Sequence, residues 1–161
     1  MEGRFDIAVN GVSRTVDADG DTALLYVLRN ALGLKGSRFG CGHEQCGACM
    51  VLVDGNPSYA CTLPVSAVSG KRVTTVEGLG TAELPHPLQQ AFLAEQAGQC
   101  GYCLSGILIS AAALLDSNPN PSRAEVAAAL EPHLCRCGAH NRIVRAVLRA
   151  AAALRGDVVP A

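Results

Sequence analysis

The sequence contains no tryptophan and few other aromatic residues, with three Tyr and three Phe among 161 residues. Its cores must therefore be built mainly from Ala, Val, Leu and Ile. Hydrophobic residues make up 49% of the chain, which excludes a disordered protein.

There is also no excess of positive charge: 13 basic and 14 acidic residues give a net charge of −1. We therefore expect no nucleic-acid partner. No apolar run reaches the roughly 18 residues that a membrane span needs, so no direct membrane span is expected.

The first residues, Met1 to Asp6, lack the charged-then-apolar pattern of a secretion signal. We therefore expect a cytoplasmic protein, unless a partner's signal exports the folded complex. The cytosol keeps thiols reduced, which disfavours disulfides. Eight cysteines in 161 residues also fall below the roughly 8–10% of a disulfide scaffold. Metal binding is the favoured interpretation of these cysteines.

The eight cysteines divide into two groups of four, with none left over. The first set has the spacing C-x4-C-x2-C with a fourth cysteine 11 residues later: Cys41, Cys46, Cys49 and Cys61. This spacing is the plant-type pattern for a [2Fe–2S] cluster. The second set has C-x2-C and C-x-C separated by 31 residues: Cys100, Cys103, Cys135 and Cys137.

Structural zinc is the alternative, because zinc also accepts four thiolates. The first spacing fits the paired short spacings of zinc sites poorly, whereas the second, taken alone, is ambiguous. His43 and His140 look like fragments of a Rieske pattern, in which two histidines replace two cysteines. The cysteine count is complete without them, so coincidence is the preferred interpretation. His86 and His133 each neighbour a proline and are expected at a helix edge or in a loop.

Hydrophobic periodicity divides the chain into a strand-rich half and a helical half. Strands are predicted at 5–9, 12–16, 49–53, 58–61 and 72–76, with one helix at 23–32. Helices are predicted at 87–97, 105–116, 122–130 and 141–154. The pattern indicates a small mixed sheet packed on one helix, followed by a helical domain. Each cysteine pair of the second set directly precedes a helix, whose N-terminal dipole favours an anionic cluster.

The neighbours of the cysteines extend the pattern over nearly the whole chain. In order they are Gly40-Cys41-Gly42, Cys46-Gly47-Ala48-Cys49, Ala60-Cys61, Thr74-Thr75-Val76-Glu77-Gly78, Gln99-Cys100-Gly101-Tyr102-Cys103 and Leu134-Cys135-Arg136-Cys137. From about residue 5 to 154, this series resembles the iron–sulfur subunit of the molybdenum hydroxylases, the xanthine oxidase family.

The resemblance implies an α+β chain made of a β-grasp, ferredoxin-like [2Fe–2S] domain and a four-helix [2Fe–2S]-binding domain. The expected boundaries are 1–76 for the first domain, 77–85 for a linker, 86–155 for the second domain and 156–161 for a tail. By this resemblance the first set holds an outer cluster, and the second set holds an inner cluster nearer the molybdenum. Gln99 and Cys137 are expected to approach the molybdopterin cofactor held by a large partner subunit.

The implied function is electron transfer, with no catalytic residue in this chain. Electrons would leave the molybdenum subunit through two [2Fe–2S] clusters towards a cytochrome c or flavin subunit. Two segments depart from the commoner family pattern, Cys103-Leu104-Ser105-Gly106 and the residues after Cys137. The second departure resembles a bacterial branch that oxidises N-heteroaromatic compounds or aldehydes and reduces a cytochrome c. Small subunits of isoquinoline oxidoreductase and nicotinate dehydrogenase are examples of that branch. A zinc-stabilised interaction module and a free-standing ferredoxin are the alternatives.

Overall fold

The computed structural model describes residues 2–157, so Met1 and the last four residues of the predicted tail lie outside the described residues. The first half forms a five-stranded mixed sheet with the order β2-β1-β5-β3-β4. Its strands are β1 (Glu2–Val9), β2 (Val12–Asp19), β3 (Met50–Val53), β4 (Asn56–Tyr59) and β5 (Arg72–Thr74). The β1–β5 pair is parallel and the other neighbouring pairs are antiparallel.

Helix α1 (Leu24–Tyr26) continues as a π-helix over Val27–Ala31 and packs on this sheet. Leu24, Leu25 and Leu28 are fully buried against the inward-facing residues of β1, including Ile7 and Val9. Side chains alternate between the two faces of a strand, so one face of β1 packs against this helix.

The predicted Asn10-Gly11 turn joins β1 to β2. Both residues have positive φ, which is the geometry of the tightest hairpin turns.

The second half contains, among the described residues, the four α-helices that the sequence predicts. They are α2 (Pro87–Ala94), α3 (Leu104–Ser117), α4 (Arg123–Leu130) and α5 (His140–Leu154). Ser122 and Glu125 form the expected capping box at the start of α4. The α+β fold class is thus confirmed. Within residues 2–157, no helix combines the length and apolar character needed to cross a membrane.

Element boundaries differ from the sequence expectations where side chains or turns redirect the backbone. Strand β4 begins at Asn56 because the two-residue turn before it closes the hairpin directly on Val53. Strand β5 ends at Thr74 because the next N–H, that of Thr75, donates to the Asn10 side chain instead of to a strand. Helix α2 ends at Ala94, shortly before Gln96, whose φ is +48°.

The two halves pack on each other through a small third core. Met50 and Leu52 on β3 bury their side chains against Ile109 on α3. At the start of α3 the backbones come into contact: a Cβ added to Gly106 would overlap the carbonyl oxygen of Gly47. Glycine at position 106 is therefore required by the close approach of α3 to the first cysteine loop.

A polar network fixes the segment that connects the two halves. The Asn10 side chain accepts from the Thr75 N–H and donates to the Thr75 hydroxyl, both at 2.9 Å. The Thr75 hydroxyl then donates to Glu77 at 2.6 Å, and the same carboxylate accepts from the Gly36 N–H at 2.7 Å. Because Gly36 leads into the first cysteine loop, this network ties the connection to that loop.

Gly106→Ala tests the close approach of the two halves. Gly→Ala in a helix normally stabilises a protein by roughly 0.5–1 kcal/mol. Here we expect the opposite sign, a loss of about 1–3 kcal/mol, because the added methyl group must push the Gly47 carbonyl away. Denaturant unfolding of the full chain measures the change.

Gly20→Ala, in the turn after β2, is the control, since its Cβ would meet only side-chain atoms, Phe5 Cζ at 3.3 Å and Ser66 Cβ at 3.5 Å. This control should stay within about 1 kcal/mol of the parent protein. Equal stability of the Gly106→Ala variant and the parent protein would show that the interface can shift to accommodate the added methyl group at little cost.

Candidate metal centres

The approach to the first cysteine loop is held by an arginine on the π-helix. Arg29 Nη1 donates to the carbonyl oxygens of Lys35 and Ser37, both at 2.7 Å. The widened helical turn places Arg29 beside this segment, and π-helical turns often occur at functional sites. The segment 35–37, which leads into the first cysteine loop, is therefore anchored to the helix that packs on the sheet.

Backbone N–H groups inside the loop point at cysteine sulfur atoms. Cys41 Sγ accepts from the N–H groups of His43 and Gln45 at 3.5 and 3.2 Å, and Cys46 Sγ accepts from the Cys41 N–H at 3.3 Å. Burial raises the pKa of Cys41, but the N–H groups of His43 and Gln45, together with hydrogen bonds from Cys46, outweigh it and lower the pKa to about 6. Glu44 makes the required turn at a φ of +63°. The loop is thus shaped to stabilise negative sulfur.

The other two thiols of the first set form a buried pair. Cys49 and Cys61 are both buried and their thiols interact. Burial, together with the neighbouring Cys61 thiol, raises the pKa of Cys49 to about 12. The charge of Cys46 also acts on Cys49, so the thiols of this set form one interacting group. A cation bound by this set would therefore have to displace the Cys49 proton, because the thiolate is the ligand form.

The second set repeats this arrangement: Cys103 and Cys135 are buried, whereas Cys100 is exposed and Cys137 is half-buried. The Tyr102 N–H and the Cys137 thiol lower the pKa of Cys100. Burial, with the neighbouring Cys135 thiol, raises the pKa of Cys103 to about 12. Cys103 is the N-cap residue of α3, and Cys137 lies shortly before α5, as the sequence predicts. Two helix N-termini therefore approach the same four thiols.

The donor chemistry of each set fits a [2Fe–2S] cluster, which needs four thiolates and hydrogen-bond donors to sulfur. All eight cysteines are free of disulfides. Gly40 leaves room beside the first set, because a Cβ there would overlap Cys46 Sγ. Within residues 2–157, no three Cys, His, Asp or Glu side chains are placed to hold a single metal ion. The fit therefore rests on the thiol count, the N–H donors and the space at Gly40.

The two sets face each other across the interface between the halves. Cysteines of both sets line a cavity of about 360 Å³, together with Tyr102 and Arg136. The Leu134 N–H donates to the Cys46 carbonyl oxygen at 3.1 Å, which joins the two cysteine loops directly. The Tyr102 hydroxyl also donates to the Phe39 carbonyl oxygen. The structure thus brings both sets to one region.

Gln99 lies next to the second set. Its Nε2 donates to the Cys137 carbonyl oxygen at 3.3 Å, so the two residues expected near the molybdopterin are hydrogen-bonded neighbours. Gln99 is exposed and lines an open cavity of about 500 Å³ with Leu104 and Leu108. Leu93 on the same cavity is 77% exposed. Gln99 thus lies at the edge of an open, partly apolar cavity.

His133 and Arg29 are the residues at this region that sequence reasoning missed. His133 lies in a loop, as expected, but it is 4% exposed and sits between the two halves. Its burial lowers its pKa to about 4. Hydrophobic spacing predicts a helix at 23–32, around Arg29, but it does not distinguish α-helical from π-helical geometry. The one sequence signal for His133 is its position two residues before Cys135.

Comparison with known proteins agrees with this geometry. A family model described as "2Fe-2S iron-sulfur cluster binding domain" matches residues 7–75, and one described as "[2Fe-2S] binding domain" matches residues 75–148. A nicotinate dehydrogenase subunit of Pseudomonas putida is 48% identical over 151 residues, covering 94% of this chain and 96% of that protein. The alpha subunit of isoquinoline 1-oxidoreductase of Brevundimonas diminuta is 47% identical over 138 residues, covering 86% and 90%.

Among solved structures, aldehyde oxidoreductase of Desulfovibrio desulfuricans superposes with a TM-score of 0.93 at 41% identity. The match covers 96% of this chain and 17% of that chain. Fold and cysteine sets together define a protein with two [2Fe–2S]-binding domains. The chain belongs to the iron–sulfur subunits of the molybdenum hydroxylases, the xanthine oxidase family. The zinc alternative finds no support in these relatives.

Proposed function

We propose that this chain passes electrons one at a time from the molybdenum cofactor of a large subunit, through two [2Fe–2S] clusters, to an external acceptor. The observation that carries this proposal is the meeting of two four-thiol sets across one interface, with their loops joined by the Leu134–Cys46 hydrogen bond. The chain's own part is to hold the thiolates, supply N–H donors to sulfur and fix the separation of the two sites. The large molybdenum-containing subunit is its partner.

We assign the first set to the outer cluster and the second set to the inner cluster. Four thiolates around a 2+ core leave a charge of about −2 on each oxidised cluster. N–H groups directed at Cys41, Cys46 and Cys100 offset part of that charge. Hydrogen bonds to sulfur and burial are the protein's means of setting the reduction potential. The domain boundaries of 1–76 and 86–155, with a linker at 77–85, remain part of this proposal.

Cys137→Ser tests the assignment of ligands. This substitution should perturb the inner cluster and slow the exit of electrons, because one thiolate is replaced by a poorer ligand. The outer cluster should keep its signal in low-temperature EPR of the reduced protein. The matched variant Cys46→Ser should give the reverse pattern. Loss of both signals in either variant would show that the sets are wrongly assigned or that both halves fold only together.

We further propose that Gln99 and the Cys137 segment contact the molybdopterin in the assembled complex. The exposed position of Gln99, its bond to the Cys137 carbonyl and the apolar cavity around it support this placement. Leu93 and the cavity wall would then be covered by the large subunit. Arg136, exposed between two proposed ligands, is a candidate for tuning the inner potential by its charge.

Gln99→Ala should weaken the magnetic interaction between molybdenum and the inner cluster without removing either cluster. Turnover of the reconstituted complex should fall by about tenfold, the usual scale for loss of a group next to the ligands. Gln90→Ala is the control, because Gln90 is exposed and its side chain donates to the Pro85 carbonyl, away from both cysteine sets. Unchanged turnover and unchanged coupling in the Gln99 variant would contradict the assignment.

We propose that a cytochrome c subunit is the acceptor and that the complex oxidises an N-heteroaromatic compound or an aldehyde. Two relatives, nicotinate dehydrogenase and isoquinoline 1-oxidoreductase, carry N-heteroaromatic substrates in their names, which supports this substrate class. A flavin subunit that copurifies with this chain and reoxidises its clusters would contradict the acceptor proposal.

A further inference from the structure

His133 is a buried polar residue that touches both halves of the protein. A Cβ added to Gly47 would overlap the His133 ring, so the ring lies directly on the first cysteine loop. On its other side, Nε2 is 2.7 Å from the Ser110 hydroxyl on α3. The ring is therefore packed between the loop of one half and the long helix of the other.

The next residue makes the hydrogen bond that joins the two cysteine loops. The Leu134 N–H donates to the Cys46 carbonyl oxygen, and Leu134 directly precedes Cys135. The Leu134 side chain is 60% exposed and cannot anchor this peptide by packing. The anchor on its N-terminal side is His133, whose backbone N–H also donates to the Leu130 carbonyl at 3.0 Å.

The His133 ring has a polar neighbour at each of its nitrogen atoms. Nε2 lies 2.7 Å from the Ser110 hydroxyl. Nδ1 lies against the Gly47 backbone, which acts to raise the pKa of the ring while burial lowers it. An apolar side chain of similar size could fill this space but could make neither polar contact, so the ring is held in a defined orientation between Ser110 and Gly47.

We propose that His133 is a positioning residue for electron exchange between the two cluster sites. Wedged between Gly47 and Ser110, it keeps the Leu134 N–H on the Cys46 carbonyl and so fixes how the two ligand loops approach each other. This inference rests on the proposed function, since it presumes a cluster in each set. It adds no chemical step: one electron leaves one site as it enters the other, and no bond is made or broken.

The test compares His133→Leu, His133→Gln and Ser110→Ala in the full chain with both clusters bound. Hydrogen-exchange mass spectrometry follows the Leu134 amide, and EPR of the fully reduced protein follows the magnetic interaction between the clusters. His133→Leu should speed exchange of the Leu134 amide by about tenfold or more, because the local opening becomes easier. It should also weaken the magnetic interaction while both cluster signals remain.

The conservative variant and the controls separate positioning from general damage. His133→Gln should restore both readouts towards the parent protein, because its amide reaches Ser110 as Nε2 does. Ser110→Ala should change both readouts in the same direction as His133→Leu does, but by a smaller amount. His86→Gln, at the start of α2 and away from both loops, should change neither.

Parent-like exchange or parent-like coupling in His133→Leu would overturn the inference. If that variant does not retain its clusters, Ser110→Ala decides: faster Leu134 exchange supports the inference, and unchanged exchange overturns it. A parent protein without two cluster signals would instead refute the proposed function, so the two failures are distinguishable.

Discussion

The backbone contact between α3 and the first cysteine loop is the constraint on which the arrangement of the whole molecule depends. Gly106 leaves no space between the helix and the Gly47 carbonyl, and Ser105 donates to the neighbouring Ala48 carbonyl at 3.4 Å. Interfaces packed this closely have few alternative arrangements. Because Gly47 lies in one cysteine loop and α3 begins directly after Cys103 of the other set, the same contact fixes the separation of the two sets.

Within each set two thiols are buried and the other two are more accessible to solvent. Each more accessible pair receives N–H groups and has a thiol whose pKa is lowered, whereas each buried pair has a thiol whose pKa is raised by loss of water. A bound iron core supplies the positive charge that the buried thiolates require. The same groups then influence the reduction potential, since sulfur hydrogen bonds and burial both act on the cluster charge.

The cysteine spacing predicted the two sets, and strand and helix periodicity predicted the elements that carry them. These are local features, so a single sequence is sufficient to recognise them. The close approach of Gly106 to Gly47 could not be predicted, because it joins residues 59 positions apart through tertiary packing. The burial of His133 has the same origin. The π-helical turn at Arg29 could not be predicted either, because hydrophobic periodicity does not distinguish α from π geometry and the carbonyl groups that Arg29 binds lie in a later segment.

Low-temperature EPR of the dithionite-reduced full chain, with iron and acid-labile sulfide analysis, tests most directly whether this chain holds two clusters. We expect two distinct spin-½ signals and about four irons per chain, two for each [2Fe–2S] cluster. One signal with about half that iron would show that only one of the thiol sets binds a cluster. A protein that holds zinc and shows no signal would contradict the electron-transfer role altogether.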